Sequence, residues 1–401
     1  MVVLLAAAAW GACFHFPQVW QATGIGEGDK LFLDLDSWLV AGEAAQHGID
    51  PYQLNPLDVY HRPHFYSEWW LVSGKLGLTR QDSRWLGVSL LSLSLVGAVL
   101  LARPATGRQA GLMLLVLASP ALLMAVNRAN IDLVVFLLMT GAFALLRDPR
   151  GVPRLLAVVL LAIAGVLKYF PLAAVVVLLD ARTRREWLGW LLVYGMVLML
   201  AWPAAAAGLH SAAKYRPSPE WLYAFGAPVI FRDFALVAPP AWLLLGSGGA
   251  VAVWLARHEW RGITTGQPES AAEREFAGGA ALLVGCFALG SSYAYKLVFA
   301  LWLLPWLWRR TAAGPEQTWR RATLALLLAV LWLEGLAAVV INGLGSPAAP
   351  LLSLRLLQVA LAVSQLLTWA LIISLLRSLL IYAGQNLARL TGARRAGPSP
   401  A

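Results

Sequence analysis

Charge is scarce in this chain. Only 13% of its 401 residues are Asp, Glu, Lys or Arg, while 59% are hydrophobic and the mean hydropathy is +0.67. Soluble domains carry roughly a quarter charged residues, and no single soluble core absorbs so much apolar surface at this length. A large helical soluble protein is therefore excluded. Cysteine is rarer still: Cys13 and Cys286 both lie in apolar stretches, which leaves no disulfide framework and no metal motif. The net charge of +10 rests on 26 Arg and only 5 Lys. Most of the Arg sit in short turns between apolar runs, which is how a membrane chain orients itself and not how a protein grips phosphodiesters, so nucleic acid is excluded as a partner. The chain also lacks a glycine-rich nucleotide loop, a P-loop, an HExxH run and any Cys/His cluster. An activated donor must then arrive by another route, and a membrane offers lipid-linked ones.

What the chain does contain is a series of apolar runs of spanning length. Full spans are expected at about 2–19, 85–102, 109–126, 131–146, 187–208, 234–255, 322–341 and 351–376, the last extending as far as Tyr382. The N-terminal run has no basic region before it and reads as a span, not a cleaved signal. If Arg-rich turns are cytoplasmic, both termini are inside and residues 20–84 and 209–233 form outer loops. Two segments break the count. Residues 155–179 lie between RDPRGVPR and DARTRR, and residues 276–308 lie between Arg274 and Arg309. Each has both ends at the Arg-rich face, so each is expected to be a hairpin of two short helices with a polar tip, LKYFP in one and SSYAYK in the other; the alternative is one ordinary span each, with the charge rule broken there. Irregular backbone at that depth persists only where it lines a protein cavity. The expected fold is all-α and polytopic: one transmembrane domain over 1–382 with about eight full spans and two hairpins, and a cytoplasmic tail over 383–401.

The outer loop 20–84 holds the first candidate chemistry. Ser37–His47 reads as a helix with Gly48 at its stop, which places Asp36 to cap it and leaves Asp34 free to act as a general base on a hydroxyl. The stretch 64–78, HFYSEWWLVSGKLGL, is aromatic and reads either as a surface-lying helix that anchors the loop or as a platform beside a lipid opening. In NRANID, Arg128 and Asn130 lie at the outer end of a span, and Asp132 heads a helix where the dipole favours a carboxylate. Lys168 and Lys296 each lie inside an apolar segment, where an ionisable side chain is costly and marks function. Their charge suits a phosphate. Arg128, with Lys214, Arg216 and Arg232 of the second outer loop, adds candidate phosphate contacts, and Asn130, Asp132, His64, Tyr169, Tyr293 and Tyr295 are candidate lining residues.

Four stretches together resemble a known family: DLDSWLVAGEAAQHGIDPY, SPALLMAVNRANIDLVVFLL, VLKYFPLAAVVVLL and YKLVFALWLLP. In order and spacing, from about residue 30 to 310, the chain resembles the C-type membrane glycosyltransferases. It looks most like glycosyltransferase family 87, the polyprenol-phosphate-mannose-dependent alpha-1,2-mannosyltransferases. The resemblance implies transfer of a mannose-like hexose from a polyprenyl-phosphate sugar to a glycan or glycolipid acceptor at the outer membrane face. It sets the acidic base on Asp34, with Asp36 its neighbour, and matches the lysine before the aromatic–Pro pair to Lys168. Where some members carry histidine this chain has Tyr293, Tyr295 and Lys296, and HFYSEWW stands in place of a Tyr-Pro-Pro run. No cofactor or metal is expected. The competing expectations are a transporter or flippase of lipid-linked sugars, which also uses broken helices and buried lysines, and a non-catalytic scaffold for envelope synthesis.

Overall fold

The computed structural model describes residues 1–16, 18–25, 31–215, 222–230, 241–260, 271–290, 292–309, 314–343 and 350–391. It is almost wholly helical. In chain order the helices are α1 (Val2–His15), α2 (Gln18–Thr23), α3 (Leu33–Gln46), α4 (Val72–Lys75), α5 (Ser83–Ala102), α6 (Gly107–Leu117), α7 (Pro120–Arg128), α8 (Asp132–Leu146), α9 (Gly151–Lys168), α10 (Arg184–Tyr215), α11 (Ala241–Trp260), α12 (Ala271–Ala288), α13 (Leu304–Leu307), α14 (Pro315–Gly343) and α15 (Pro350–Thr391). Two short strands, β1 (Ala224–Phe225) and β2 (Ser292–Tyr293), pair antiparallel with Ala224 opposite Tyr293.

Among the described residues, five helical segments are long and apolar enough to cross a membrane: Arg80–Ala102, Gly151–Lys168, Arg184–Tyr215, Pro315–Asn342 and Arg355–Thr391. Counted as one broken span, the pair α6 and α7, bent by 58°, makes a sixth. The bend falls at Ser119–Pro120, because proline cannot donate to the preceding turn, and the Ser119 hydroxyl caps both sides, donating to the Val116 carbonyl at 2.7 Å. The count differs from the expected eight because α1 and α8 have only 14 and 15 residues, because the expected span 234–255 begins outside the described residues, and because Gly151–Lys168, expected as a hairpin arm, is itself of spanning length. At 1.5 Å per residue neither α1 nor α8 fills a hydrocarbon core about 30 Å thick. The protein is a polytopic helical membrane protein.

Both expected hairpins are present, but their arms are unequal. The first is not a pair of short helices: α9 has 18 residues, a full span, and turns at Tyr169 into a 3₁₀ segment, Phe170–Asp180. A 3₁₀ helix rises about 2.0 Å per residue against 1.5 Å for an α-helix. The 11 residues of the return arm therefore recover most of the length of α9. The second hairpin runs through α12, β2, a 3₁₀ segment at Ala294–Trp302 and then α13. The hairpins pack on each other through small residues of α12: a Cβ at Gly285 would lie 2.9 Å from the Ala173 Cβ, and one at Gly278 would lie 3.3 Å from Val177 Cγ2; within the second hairpin, one at Gly279 would lie 3.0 Å from the Phe299 carbonyl. Such close approach is what small residues permit between membrane helices.

The arginine-rich turns meet at one end of the bundle. Asp180 pairs with Arg274 at 2.9 Å and with Arg154 at 3.6 Å, Glu275 pairs with Arg147 at 2.6 Å, and Arg389 donates to the Leu179 carbonyl at 3.1 Å. Arg389 belongs to α15, which runs to Thr391, beyond its expected limit at Tyr382, so the tail expected from 383 begins as helix. Likewise α10 continues to Tyr215, into the expected loop 209–233.

The first outer loop departs from expectation in two places. Helix α3 begins at Leu33, after Phe32 takes a left-handed conformation, so neither Asp34 nor Asp36 is its cap. Stretch 64–78 is not one surface-lying helix: it forms a 3₁₀ turn, Glu68–Leu71, and the single turn α4. Trp70 is buried there. Its indole N–H donates to the Leu167 carbonyl at 2.9 Å, while its own carbonyl accepts from the Trp38 indole at 2.7 Å, so it struts α3 against the tip of the first hairpin. Trp69 remains exposed.

Candidate functional site

The site begins where α3 meets the NRAN turn. The Phe32 amide donates to the Asn127 carbonyl at 2.7 Å, which sets the first turn of α3 beside the α7–α8 junction. Ala129, between Arg128 and Asn130, has a left-handed backbone (φ 43°) that turns both neighbours toward Asp34. The Asp34 carboxylate accepts from the Asn130 amide at 2.7 Å and from Arg128 at 3.3 Å, with Arg62 at 3.7 Å. Asp34 thus serves no helix cap, as expected, but it is held in a cationic cradle and is not free. Asp36 is buried and forms an ion pair with Arg80 Nε at 3.5 Å.

Both intramembrane lysines converge on one carboxylate. Lys168 Nζ donates to Asp132 Oδ1 at 2.5 Å and Lys296 Nζ to Asp132 Oδ2 at 2.7 Å, and all three side chains are buried. Lys168 also donates to Asn130 Oδ1 at 2.8 Å. One amide therefore touches both clusters, donating to Asp34 and accepting from Lys168. The helix-heading role expected for Asp132 gives way to this pairing: its backbone N–H is satisfied by Asn130 Oδ1 at 2.9 Å, and its carboxylate is used by the lysines. Aromatic faces complete the shell, with Lys168 over Tyr66 at 4.6 Å, Lys296 over Phe170 at 4.0 Å and Arg128 over Tyr293 at 4.6 Å. Such contacts favour desolvated cations.

Two cavities adjoin at this cluster. The smaller, about 140 Å³, is lined by Asp34, Arg62, His64, Arg128 and Asn130. The larger, about 470 Å³, holds Lys168 and Lys296 at one side and is otherwise apolar, with Leu209, Ala212, Cys286 and Leu289 in its wall. Phe65, Tyr66, Tyr293 and Tyr295 line both cavities and form the partition. Tyr169 lines the larger one from a positive-φ position (φ 61°), its hydroxyl donating to the Ala205 carbonyl at 3.0 Å. That bond brings the hairpin tip against Gly208, where a Cβ would collide with the Tyr66 backbone and the Tyr169 hydroxyl. Asp34 and Asp132 face Arg128, Lys168 and Lys296, while Arg62 is matched by Asp58, so the cluster carries one positive charge in excess.

The remaining expected residues are less central. Lys214 is exposed on the last turn of α10, over the Tyr215 ring at 4.6 Å, and only Tyr215 reaches the smaller cavity. Arg216 and Arg232 lie outside the described residues. His64 is buried between Tyr52 and Tyr66, with Nε2 at 3.4 Å from the Ser67 carbonyl. Burial lowers its pKa to about 4, against which the Ser67 contact acts only weakly, so the ring is neutral at neutral pH. Its backbone carbonyl accepts from the Ser211 hydroxyl of α10 at 2.7 Å, which pins the loop to the bundle.

Sequence reasoning missed Arg62 and Asp58. Burial alone would raise the Asp58 carboxyl, but hydrogen bonds from Arg62 at 3.1 and 3.0 Å outweigh it and hold Asp58 below the usual carboxylate range. The spacing of four residues in DVYHR was the available signal, though such pairs are common. Among the described residues no group of three or more His, Cys, Asp or Glu is set to hold a metal ion.

Fold and site together define a polytopic helical membrane protein with a buried, cation-rich cluster shared by two cavities at one end of its bundle. No family model matches the chain, and no curated protein does. Among solved structures, the crystal structure of ArnT from Cupriavidus metallidurans bound to undecaprenyl phosphate is similar at 15% identity and a TM-score of 0.40, over 96% of this chain and 78% of that one.

Proposed function

We propose that this protein is a membrane glycosyltransferase that moves a mannose-like hexose from a polyprenyl-phosphate sugar to a hydroxyl of a glycan or glycolipid. The observation that carries the reading is the pair of adjoining cavities. One presents a carboxylate and the other presents two lysines above an apolar wall, with a partition of aromatic rings between them. An ammonium has three N–H donors. Lys168 spends two on Asn130 and Asp132, and Lys296 spends one on Asp132. Both therefore retain donors for a phosphate. The single excess positive charge suits a phosphodiester, which carries one negative charge. The order and spacing of the sequence motifs support the same donor class.

In this scheme the acceptor hydroxyl attacks the anomeric carbon while the bond from that carbon to the phosphate oxygen breaks. The electron pair leaves with polyprenyl phosphate, the hydroxyl proton passes to Asp34, and the anomeric carbon inverts. Lys168, Lys296 and Arg128 stabilise the charge that grows on the leaving phosphate, so no strong general acid or metal is required. The site faces the non-cytoplasmic side, and both termini are cytoplasmic, because the arginine turns gather at the opposite end. The test is the purified protein in lipid nanodiscs with a polyprenyl-phosphate hexose, mannose first, and a panel of sugar acceptors. Release of polyprenyl phosphate, lost in Asp34→Asn, is the expected result. Movement of the intact lipid-linked sugar across a bilayer without release would replace transfer by transport.

A further inference from the structure

The end of the bundle opposite Asp34 contains a third cavity, of about 880 Å³, enclosed by the ends of α5, α8 and α13 and the starts of α6, α12 and α14. Five arginines line it: Arg103, Arg108, Arg147, Arg309 and Arg321. Glu275 is the one carboxylate in its wall and is taken by Arg147 at 2.6 Å. Among the described residues the other four arginines form no ion pair. The preference of membrane proteins for arginine in cytoplasmic turns explains their sign. It does not explain why helix ends from six different elements leave a hollow beneath them. Between the charges the wall is mixed: Thr106, Gln109 and Gln317 are polar, while Leu112 of α6, Leu324 of α14 and the Trp308 ring are apolar. A soluble anion would use only the charged rim. A molecule with a phosphate at one end and acyl chains at the other uses both parts of the wall.

We infer that this cavity binds the headgroup of an anionic phospholipid, its phosphodiester against Arg103, Arg108, Arg309 and Arg321 and its chains along the apolar sides of α6 and α14. The site is separate from the Asp34 cluster and does not depend on its chemistry. Basic recesses between membrane helices recognise lipid phosphates through such charge complementarity.

The test uses the full-length protein, delipidated in a neutral detergent. Phosphatidylglycerol, phosphatidylcholine with identical chains, and inorganic phosphate are titrated separately while the thermal unfolding midpoint is followed. The expected result is a saturable rise with phosphatidylglycerol alone, since a ligand bound only to the folded state stabilises it. The double variant Arg309→Gln/Arg321→Gln, both exposed positions, should bind phosphatidylglycerol roughly tenfold or more weakly, as expected for losing two charges at a lipid phosphate. Its midpoint without lipid should match the parent, which separates lost binding from lost folding. An equal rise with phosphatidylcholine would overturn the proposal, as would the whole effect with phosphate alone or an undiminished response in the double variant. Native mass spectrometry of the parent supplies a second readout: retained phosphatidylglycerol supports the site, and retention of zwitterionic lipid in equal measure contradicts it.

Discussion

Asp132→Asn is the perturbation that most directly probes the buried lysine pair. The carboxylate receives Lys168 at 2.5 Å on one oxygen and Lys296 at 2.7 Å on the other. An asparagine keeps the shape and offers one acceptor, but its amide N–H then points at the second ammonium. Two cations remain in a buried site with no counter-charge between them. Removing one partner of a buried ion pair costs about 3–5 kcal/mol, since the charge left behind is uncompensated. The variant should lose stability of that order by thermal or denaturant unfolding in detergent. Replacing Lys296 by Met in the same background removes the stranded charge, so Asp132→Asn/Lys296→Met should recover more than half of the loss. This non-additivity distinguishes a shared-carboxylate cluster from two independent contacts. An Asp132→Asn protein within about 1 kcal/mol of the parent would refute the reasoning, and so would a double variant whose losses simply add.

Other outcomes follow from the same site. Asp34→Asn should cut turnover by about 10²–10⁴-fold, the usual range for general acid–base catalysis, with little change in donor binding. Asp36→Asn should change stability by no more than about 1 kcal/mol, because its partner Arg80 is 43% exposed; abolished turnover there with normal turnover in Asp34→Asn would reverse the assignment. His64 gives a pH signature. Its pKa falls from 6.5 to about 4 on folding, so the unfolded chain binds the proton first as pH drops. The stabilisation, about 3 kcal/mol, is complete above pH 6.5 and is lost as pH falls toward 4. His64→Phe should flatten the unfolding profile between pH 6.5 and 5, and an unchanged slope would remove His64 as its source. Finally, with Cys13 and Cys286 replaced by Ala, a cysteine at exposed Gln46 should label from the outside and one at exposed Gly151 only from the cytoplasm; the reverse pattern would invert the topology.

Much of this architecture is determined by the sequence alone. Hydropathy and the arginine turns define a polytopic helical protein, because an apolar run has no alternative to the bilayer. The same turns predict the hairpins: residues 155–179 and 276–308 begin and end among arginines, so each is expected to return to the face it left. Lys168 and Lys296 announce themselves because a buried ammonium is costly wherever it lies. Their partner does not. Asp132 reads as an ordinary helix-heading carboxylate, and only the meeting of two hairpin tips makes it the counter-charge for lysines 36 and 164 residues away. Arg62, Arg128 and Asn130 become a cradle for Asp34 only when Phe32 bonds to Asn127 and turns the first residues of α3 toward the NRAN turn. Trp70, which resembles an interfacial anchor in the sequence, becomes a buried strut once its indole finds the Leu167 carbonyl. Hydropathy and charge cost are properties of single segments and survive in the linear chain. Which carboxylate faces which cation depends on the packing of several segments at once, so that information exists only in the tertiary structure.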